Sequence, residues 1–371
     1  MIYLATMMML LLLSFVTPLF CFSPWAVRSI SRSTGSTSLA SSTLPNAAQL
    51  LEFQEPRTNV TVVLVGAMHY NPTSIKLAEE TISGLGKRKQ LGSVIVEACD
   101  IRWNKTAELY EEKPYLKNLL NNEMRTACDV AFSFDRPTVL GDQRINITTN
   151  ALKASLKQTF SDLVDPPKGW KRFLEEVQGA WEETVPLGGQ GYLSAIAFLD
   201  PRLLLVLPIS LVKYPLSFLV RDPLPTSIVL SLLLALSYYD DPMTVQEMMN
   251  EGIPISDWIV TFLVSALETA IFARLLLKPL LAERNEILAS TILEQCRIYS
   301  QRNERARGTP FGLFAKSESV SAVPNREVET VYAPGSPIAE RSASGERRVV
   351  VAVLGMAHCN GIMKLLKEQK V

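Results

Sequence analysis

Only two histidines occur among 371 residues, and both stand in the same frame. Val60-Thr61-Val62-Val63-Leu64-Val65 runs into Gly66-Ala67-Met68-His69. Val349-Val350-Val351-Ala352-Val353-Leu354 runs into Gly355-Met356-Ala357-His358. Histidine is the usual neutral metal ligand and the side chain best suited to proton transfer near neutral pH. A glycine at the end of an apolar strand lets the chain turn sharply and aims the imidazole over the sheet rim. The competing reading is two core or loop histidines that share a frame by chance. A third apolar run, Val94-Ile95-Val96, ends at Glu97, and a fourth, Thr138-Val139-Leu140, ends in Gly141-Asp142-Gln143-Arg144. His69, His358 and Glu97 on one rim are the raw material of a divalent-metal site with open positions for water and substrate. Such an ion activates water and polarises carbonyls, so hydrolysis is the natural chemistry. Glu97 also suits the role of general base. Its alternative is a structural carboxylate paired to Arg102 or Arg144. Arg144 and Arg284 stay protonated, so they read as clamps for an oxyanion or a carboxylate, or as plain ion-pair residues.

The elements that must carry these groups alternate between strand and helix. Val60–Val65 and Ser93–Val96 are apolar enough for strands buried on both faces. Ser74–Leu85 spaces Ile75, Ala78, Ile82 and Leu85 as one helical face. One long helical region is expected over Trp103–Phe132, and a short closing helix over Gly361–Gln369. The pattern predicts an α/β fold: a mainly parallel sheet flanked by helices, with its functional rim at the strands' carboxyl ends. Joining the two histidines in one site requires the first and last strands of the domain to meet. Residues 52–200 form the first part of this domain, 283–302 a helix opening with Glu283-Arg284-Asn285, and 348–371 the closing strand and helix. Residues 303–347, rich in Ser, Pro, Gly, Arg and Glu and without an apolar period, read as a disordered insertion. Residues 201–282 are an apolar helical cap or a membrane-associated region. Leu203–Val220, Pro225–Tyr238 and Ile255–Leu277 are apolar, but a free-standing span wants roughly 20 uninterrupted apolar residues. Pro208, Lys213, Pro215, Glu268 and Arg274 interrupt these runs. Buried cap helices and a tilted Leu203–Tyr238 hairpin both fit.

Composition narrows the field. The chain has 37 basic and 37 acidic residues, so no overall charge draws it to nucleic acid. The five cysteines, Cys21, Cys99, Cys128, Cys296 and Cys359, show no CxxC pairing and indicate neither a zinc ribbon nor a disulfide framework. Cys359 reads as a buried, inert thiol. Gly188-Gly189-Gln190-Gly191 lacks the lysine of a phosphate loop and reads as a hinge. There is no Gly-x-Ser-x-Gly elbow. Residues 1–51 contain no Asp or Glu; Met7–Val16 is a short apolar run, followed by Phe22 and a Ser/Thr-rich stretch with Arg28 and Arg32. This resembles the two-part signal-plus-transit leader of algae with complex plastids and implies a plastid destination. A simple secretory signal with a spacer, leading to the secretory pathway or another organelle membrane, is the alternative.

Taken together, several ordered blocks resemble the TraB/PrgY family. They are Val65-Gly66-Ala67-Met68-His69 with Ser74; Val94-Ile95-Val96-Glu97 with Arg102; Glu123-Met124-Arg125 with Ala127; Leu140-Gly141-Asp142-Gln143-Arg144 with Thr148; Glu283-Arg284-Asn285; and Val353-Leu354-Gly355-Met356-Ala357-His358 with Gly361-Ile362. The resemblance covers roughly residues 60–160 and 280–368. The chain departs from the family pattern by the extra Gln143 before Arg144 and by Asn285 in place of an acid. The resemblance implies relatives that inactivate signalling peptides in bacteria, and membrane-tethered metalloproteases of the TIKI group that need manganese or cobalt-type ions. It also implies organelle-membrane members without established catalysis. Two expectations follow. One is a metal-dependent, peptidase-like hydrolase acting on a peptide or protein. It would use a manganese- or cobalt-type ion, with zinc as an alternative. The other is a non-catalytic organelle-membrane adaptor.

Overall fold

A computed structural model of the chain describes residues 44–45, 47–165, 167–184, 191–224, 226–227, 231, 271–306, 329–332 and 348–369. The expected leader up to residue 43, the expected Gly188–Gly191 hinge apart from Gly191, most of Pro225–Tyr238 and Ile255–Leu277, and residues 307–328 and 333–347 of the expected insertion lie outside the described residues. The chain divides into two compact units, one of residues 43–217 with 262–371, the other of residues 1–42 with 218–261. The described part of the smaller unit includes the end of a helix, where the Arg221 guanidinium lies over the Phe218 ring.

The larger unit is built on a six-stranded sheet. Its strands are β1 (Leu50–Gln54), β2 (Thr61–Ala67), β3 (Leu91–Val96), β4 (Thr138–Leu140), β5 (Glu329–Tyr332) and β6 (Val349–Gly355). Their order across the sheet is β1-β2-β6-β3-β4-β5. The four central strands run parallel, and each edge strand is antiparallel to its neighbour. The fold is therefore α/β with a mainly parallel sheet, as the alternating pattern predicts. The last strand lies between β2 and β3, with Val62 opposite Val350 and Val94 opposite Val351. This places both Gly-x-x-His frames side by side at one rim.

The central strands are apolar on both faces because both faces are covered. Val62, Leu64, Ile95, Val350 and Ala352 pack with helices α10 (Glu283–Ala306) and α11 (Met356–Glu368). The alternate residues Val63, Val65, Val94, Val351 and Val353 pack on the other face with α1 (Pro72–Lys87) and α4 (Glu123–Ser133).

Four expectations need correction. The long helix over Trp103–Phe132 is three pieces: α2 (Asp100–Glu112), α3 (Pro114–Leu119) and α4. Lys113 precedes a proline and adopts φ −132°, ψ 76°, outside the helical region that the proline ring disfavours. The next break falls where the Asn122 side chain accepts the Arg125 N–H and so starts α4. Residues 49–51, which the sequence reading gives to a leader, belong to the sheet: β1 begins at Leu50, and the Gln49 carbonyl accepts the Gly66 N–H. The region read as a disordered insertion contains β5, which needs only main-chain pairing to β4 at a sheet edge, so no apolar period marks it. Finally, α10 runs to Ala306, beyond the expected end at residue 302.

The remaining helices are α5 (Ile145–Leu163), α6 (Lys168–Thr184), α7 (Ala195–Phe198), α8 (Pro201–Leu205) and α9 (Leu207–Arg221), with a π-helix over Leu276–Ala282 leading into α10. Among the described residues no single helix is long and apolar enough to cross a membrane; one pair, Ile196–Leu205 with Leu207–Arg221, passes that test jointly but is bent by 87°. Arg274, which interrupts an apolar run in the sequence, is fully buried and ion-paired to Asp162 at 2.7 Å and Glu176 at 2.8 Å. Its charge pins α5 and α6 to the segment before the π-helix.

Burial ranks these side chains for mutation. Ile95→Ala, at a fully buried central position, should cost about 2–5 kcal/mol in urea unfolding. Tyr115→Ala on the exposed side of α3 should stay within about 0.5 kcal/mol of the parent.

Candidate functional site

At the carboxyl ends of β2, β6, β3 and β4 the chain places His69, His358, Glu97 and Asp142 in that order. Each arrives differently. His69 follows β2 in the short loop before α1, where Asn71 caps the helix by accepting the Thr73 N–H. The Met68 N–H donates to Ser74 Oγ, which fixes the loop. His358 needs no loop: β6 ends at Gly355 and α11 begins at Met356, so His358 lies in the first helical turn.

Glu97 is buried, and its two oxygens are held separately. Oε2 accepts the Gly355 N–H at 2.6 Å, and Oε1 accepts from Arg284 Nη2 at 2.5 Å. His358 Nε2 lies 3.3 Å from the same Oε1. The carboxylate thus sits at the start of α11, where the helix dipole favours negative charge. Burial alone would raise its pKa, but His358, Arg284 and His69 hold it well below the usual carboxylate range. Gly355 leaves room here: a Cβ would stand 3.1 Å from Glu97 Oε2 and 3.2 Å from His69 Nε2, tight enough to press on both side chains.

Each imidazole is anchored through Nδ1. His69 Nδ1 lies 2.6 Å from Glu123 Oε1. Since a carboxylate only accepts, Nδ1 carries the proton and Nε2 is turned toward Glu97. The other Glu123 oxygen accepts the Tyr70 N–H at 3.1 Å. Tyr70 has φ 59°, a left-handed conformation unfavourable for a bulky residue, and this bond helps to hold it. His358 Nδ1 pairs with Asn285 Oδ1 at 2.7 Å. Gly361 makes room for Asn285, since a Cβ there would collide with the amide.

Arg284 is brought in by the π-helix, a widened turn that delivers Arg284 and Asn285 together at the start of α10. It grips Asp142 with two bonds of 2.8 Å, and Arg102 pairs with the same carboxylate. Three carboxylates (Glu97, Glu123, Asp142) therefore face two guanidiniums (Arg102, Arg284).

The structure joins His69, His358, Glu97 and Arg284 but not Arg144. Arg144 pairs with Asp100 at 2.7 Å and is largely exposed. Gln143 takes the buried place after Asp142, which pushes Arg144 one position outward. Nor does Glu97 pair with Arg102 or Arg144, the partners that the sequence suggests; Arg284 takes that place. Cys359 is fully buried, and burial pushes its thiol up. Glu123 and Asn285 carry roles that the sequence reading did not assign them. Glu123 sits directly after the Asn121-Asn122 helix start, and Asn285 directly after Arg284, but nothing in either position names a histidine as partner.

Among the described residues, no group of three or more His, Cys, Asp or Glu side chains stands ready to hold a metal ion. Glu97 Oε1 is already held by Arg284 and Oε2 by the Gly355 N–H. In other respects the donor set fits a divalent ion. Both imidazoles are anchored at Nδ1 by an oxygen, as metal-binding histidines usually are. Comparison of the chain with protein-family models, with curated proteins and with solved structures gave no match in any of the three.

The Glu123–His69 pair makes a pH prediction. Burial lowers the His69 pKa, but the charge and hydrogen bond of Glu123 outweigh it and raise the value from 6.5 to about 9. A folded-state pKa above the unfolded one stabilises the fold fully below pH 6.5, and that contribution is lost as pH rises through about 9. In metal-free protein one of the two imidazole NMR signals should titrate near 9. Glu123→Gln should move it downward and flatten the fall in melting temperature over that interval. Gly361→Ala should leave that signal in place and perturb the other, because it displaces only the amide behind His358.

Proposed function

We propose that this chain is a metal-dependent hydrolase of peptidase type, of the kind the TraB/PrgY resemblance implies. The observation that supports it most directly is the convergence of two anchored imidazoles on one buried carboxylate. His69 and His358 would hold the ion through Nε2, with Glu97 as third ligand. A divalent ion there supplies Lewis acidity, lowering the pKa of a water and polarising a peptide carbonyl. The chain's own contribution is orientation and charge. Glu123 and Asn285 fix the rings. Arg284 holds Glu97 and offers positive charge beside any developing oxyanion. Glu97 is buried beside both imidazoles with its oxygens held by Arg284 and the Gly355 N–H, so it is assigned ligation before general-base work. Arg144, paired with Asp100 away from this cluster, is given no part.

A second reading, a membrane-associated adaptor, has one observation in its favour. The bent pair from Ile196 to Arg221 is apolar enough in sum to meet a bilayer, and α9 turns Ile209 and Val212 outward while burying Ser210 and Ser217. In that reading the Gly-x-x-His frames serve the fold and not catalysis.

Metal content and peptidase activity together test the proposal. Full-length protein should retain about one divalent ion, by elemental analysis, after dialysis, and His69→Ala, His358→Ala and Glu97→Gln should each lose most of it. Peptide hydrolysis should fall in parallel. Full metal occupancy in the double histidine variant would end this reading, and metal binding without any hydrolysis would favour the adaptor.

A further inference from the structure

The site has one aromatic wall that neither the sequence frames nor the hydrolase reading uses. The Tyr214 ring stacks on the His69 imidazole, with centroids 5.9 Å apart and planes 11° from parallel. The Tyr70 ring meets Tyr214 edge-on, at 6.1 Å and 72°. Together they form a corner beside His69, the more open of the two histidines: its side chain is 29% exposed, against 4% for His358.

Three features show that this corner is built into the fold. Tyr70 is held in a left-handed conformation that a bulky residue adopts only under constraint, and Glu123, which anchors His69, also holds the Tyr70 N–H. Tyr214 lies directly before Pro215 inside α9. Proline lacks the N–H for the helical bond to Leu211 and restricts the backbone of the residue before it, Tyr214. The Ser217 hydroxyl donates to the Tyr214 carbonyl at 2.7 Å and restrains this turn. The Tyr214 ring itself meets both His69 and Tyr70. Tyr214 is 44% exposed.

We propose that Tyr214, with Tyr70 behind it, is the specificity-determining wall of the site and seats an aromatic or large apolar side chain of the substrate next to His69. Aromatic rings favour stacked or edge-on partners in addition to the apolar area they bury. A peptide carrying such a residue beside the bond to be cleaved would therefore gain binding energy at the place where the carbonyl must meet the site. The substrate class is a peptide with an aromatic or bulky apolar residue at the cleavage position. Only the peptide nature of the ligand rests on the hydrolase reading.

The two histidines allow a test that does not require turnover. With isotope-labelled histidine in the full chain, N-acetylphenylalanine is titrated while both imidazole signals are followed, with N-acetylglycine as the control ligand. N-acetylphenylalanine should shift the His69 signal and bind more tightly than N-acetylglycine. Tyr214→Phe should keep this preference. Tyr214→Ala should weaken N-acetylphenylalanine by about two- to tenfold, the weight of one aromatic pair, and weaken N-acetylglycine less, so that the preference shrinks. Melting curves establish that both variants are folded. Equal binding of the two ligands, an undiminished preference in Tyr214→Ala, or a His69 signal that never responds would each overturn the proposal. Metal loss or retention in the histidine variants reads the hydrolase proposal separately, so either can fail alone. If hydrolysis is observed, Tyr214→Ala should raise KM for a phenylalanine substrate more than it lowers kcat.

Discussion

A carboxylate taken out of water must find its compensation in the protein, and Glu97 finds it in three places at once. The Gly355 N–H, the Arg284 guanidinium and the His358 imidazole come from different parts of the chain. Removing one member of such a buried set typically costs about 3–5 kcal/mol, because it strands the charge that is left. The demand shapes the surroundings. β6 ends at a glycine whose Cβ would press on Glu97, α11 begins at once, and a π-helix precedes Arg284. Asp142 is then drawn in as the second anchor of Arg284, and Arg102 as the second partner of Asp142. The row of strand ends at the rim is a single electrostatic unit.

Much of this unit was legible in the sequence, and the reason is local. A run such as Val349–Leu354 is apolar on both faces only if both are covered, and a glycine at its end marks where the chain leaves the sheet. Such signals lie within a few residues of what they report, so the strands, the two histidine frames and Glu97 could be read directly. The anchors could not. Glu123 is 54 residues from His69, and Asn285 is 73 from His358. A partner chosen by folding leaves no mark in the spacing. Asn285 had stood out only as an acid missing from a familiar pattern, whereas its carbonyl performs the anchoring that an acid would, without the charge.

Where the sequence misled, it did so through features whose cause is backbone chemistry rather than apolar period. Pro114 and the Asn122 cap divide one apolar helical stretch into three. β1 and β5 are edge strands that pair through their main chains on one side, so neither needs a strong pattern. Arg144 was placed by its distance from a strand end, and one inserted residue, Gln143, moved it out of reach. Arg274 looked like an interruption of an apolar span, but its burial against Asp162 and Glu176 shows a charge that is matched within the larger unit itself.

The position of β6 also bears on how this chain comes into being. Val350 pairs with Val62, so β6 is made long after the two strands it joins. Until it arrives, β2 and β3 each present an unpaired parallel edge, the kind of surface on which nascent chains stick to one another. Long-range pairings of this sort are slow to close. A chain that stops short of residue 349 lacks more than a histidine: it is two half-sheets with nothing between them. Such a product should fall to quality control before any chemistry is at stake.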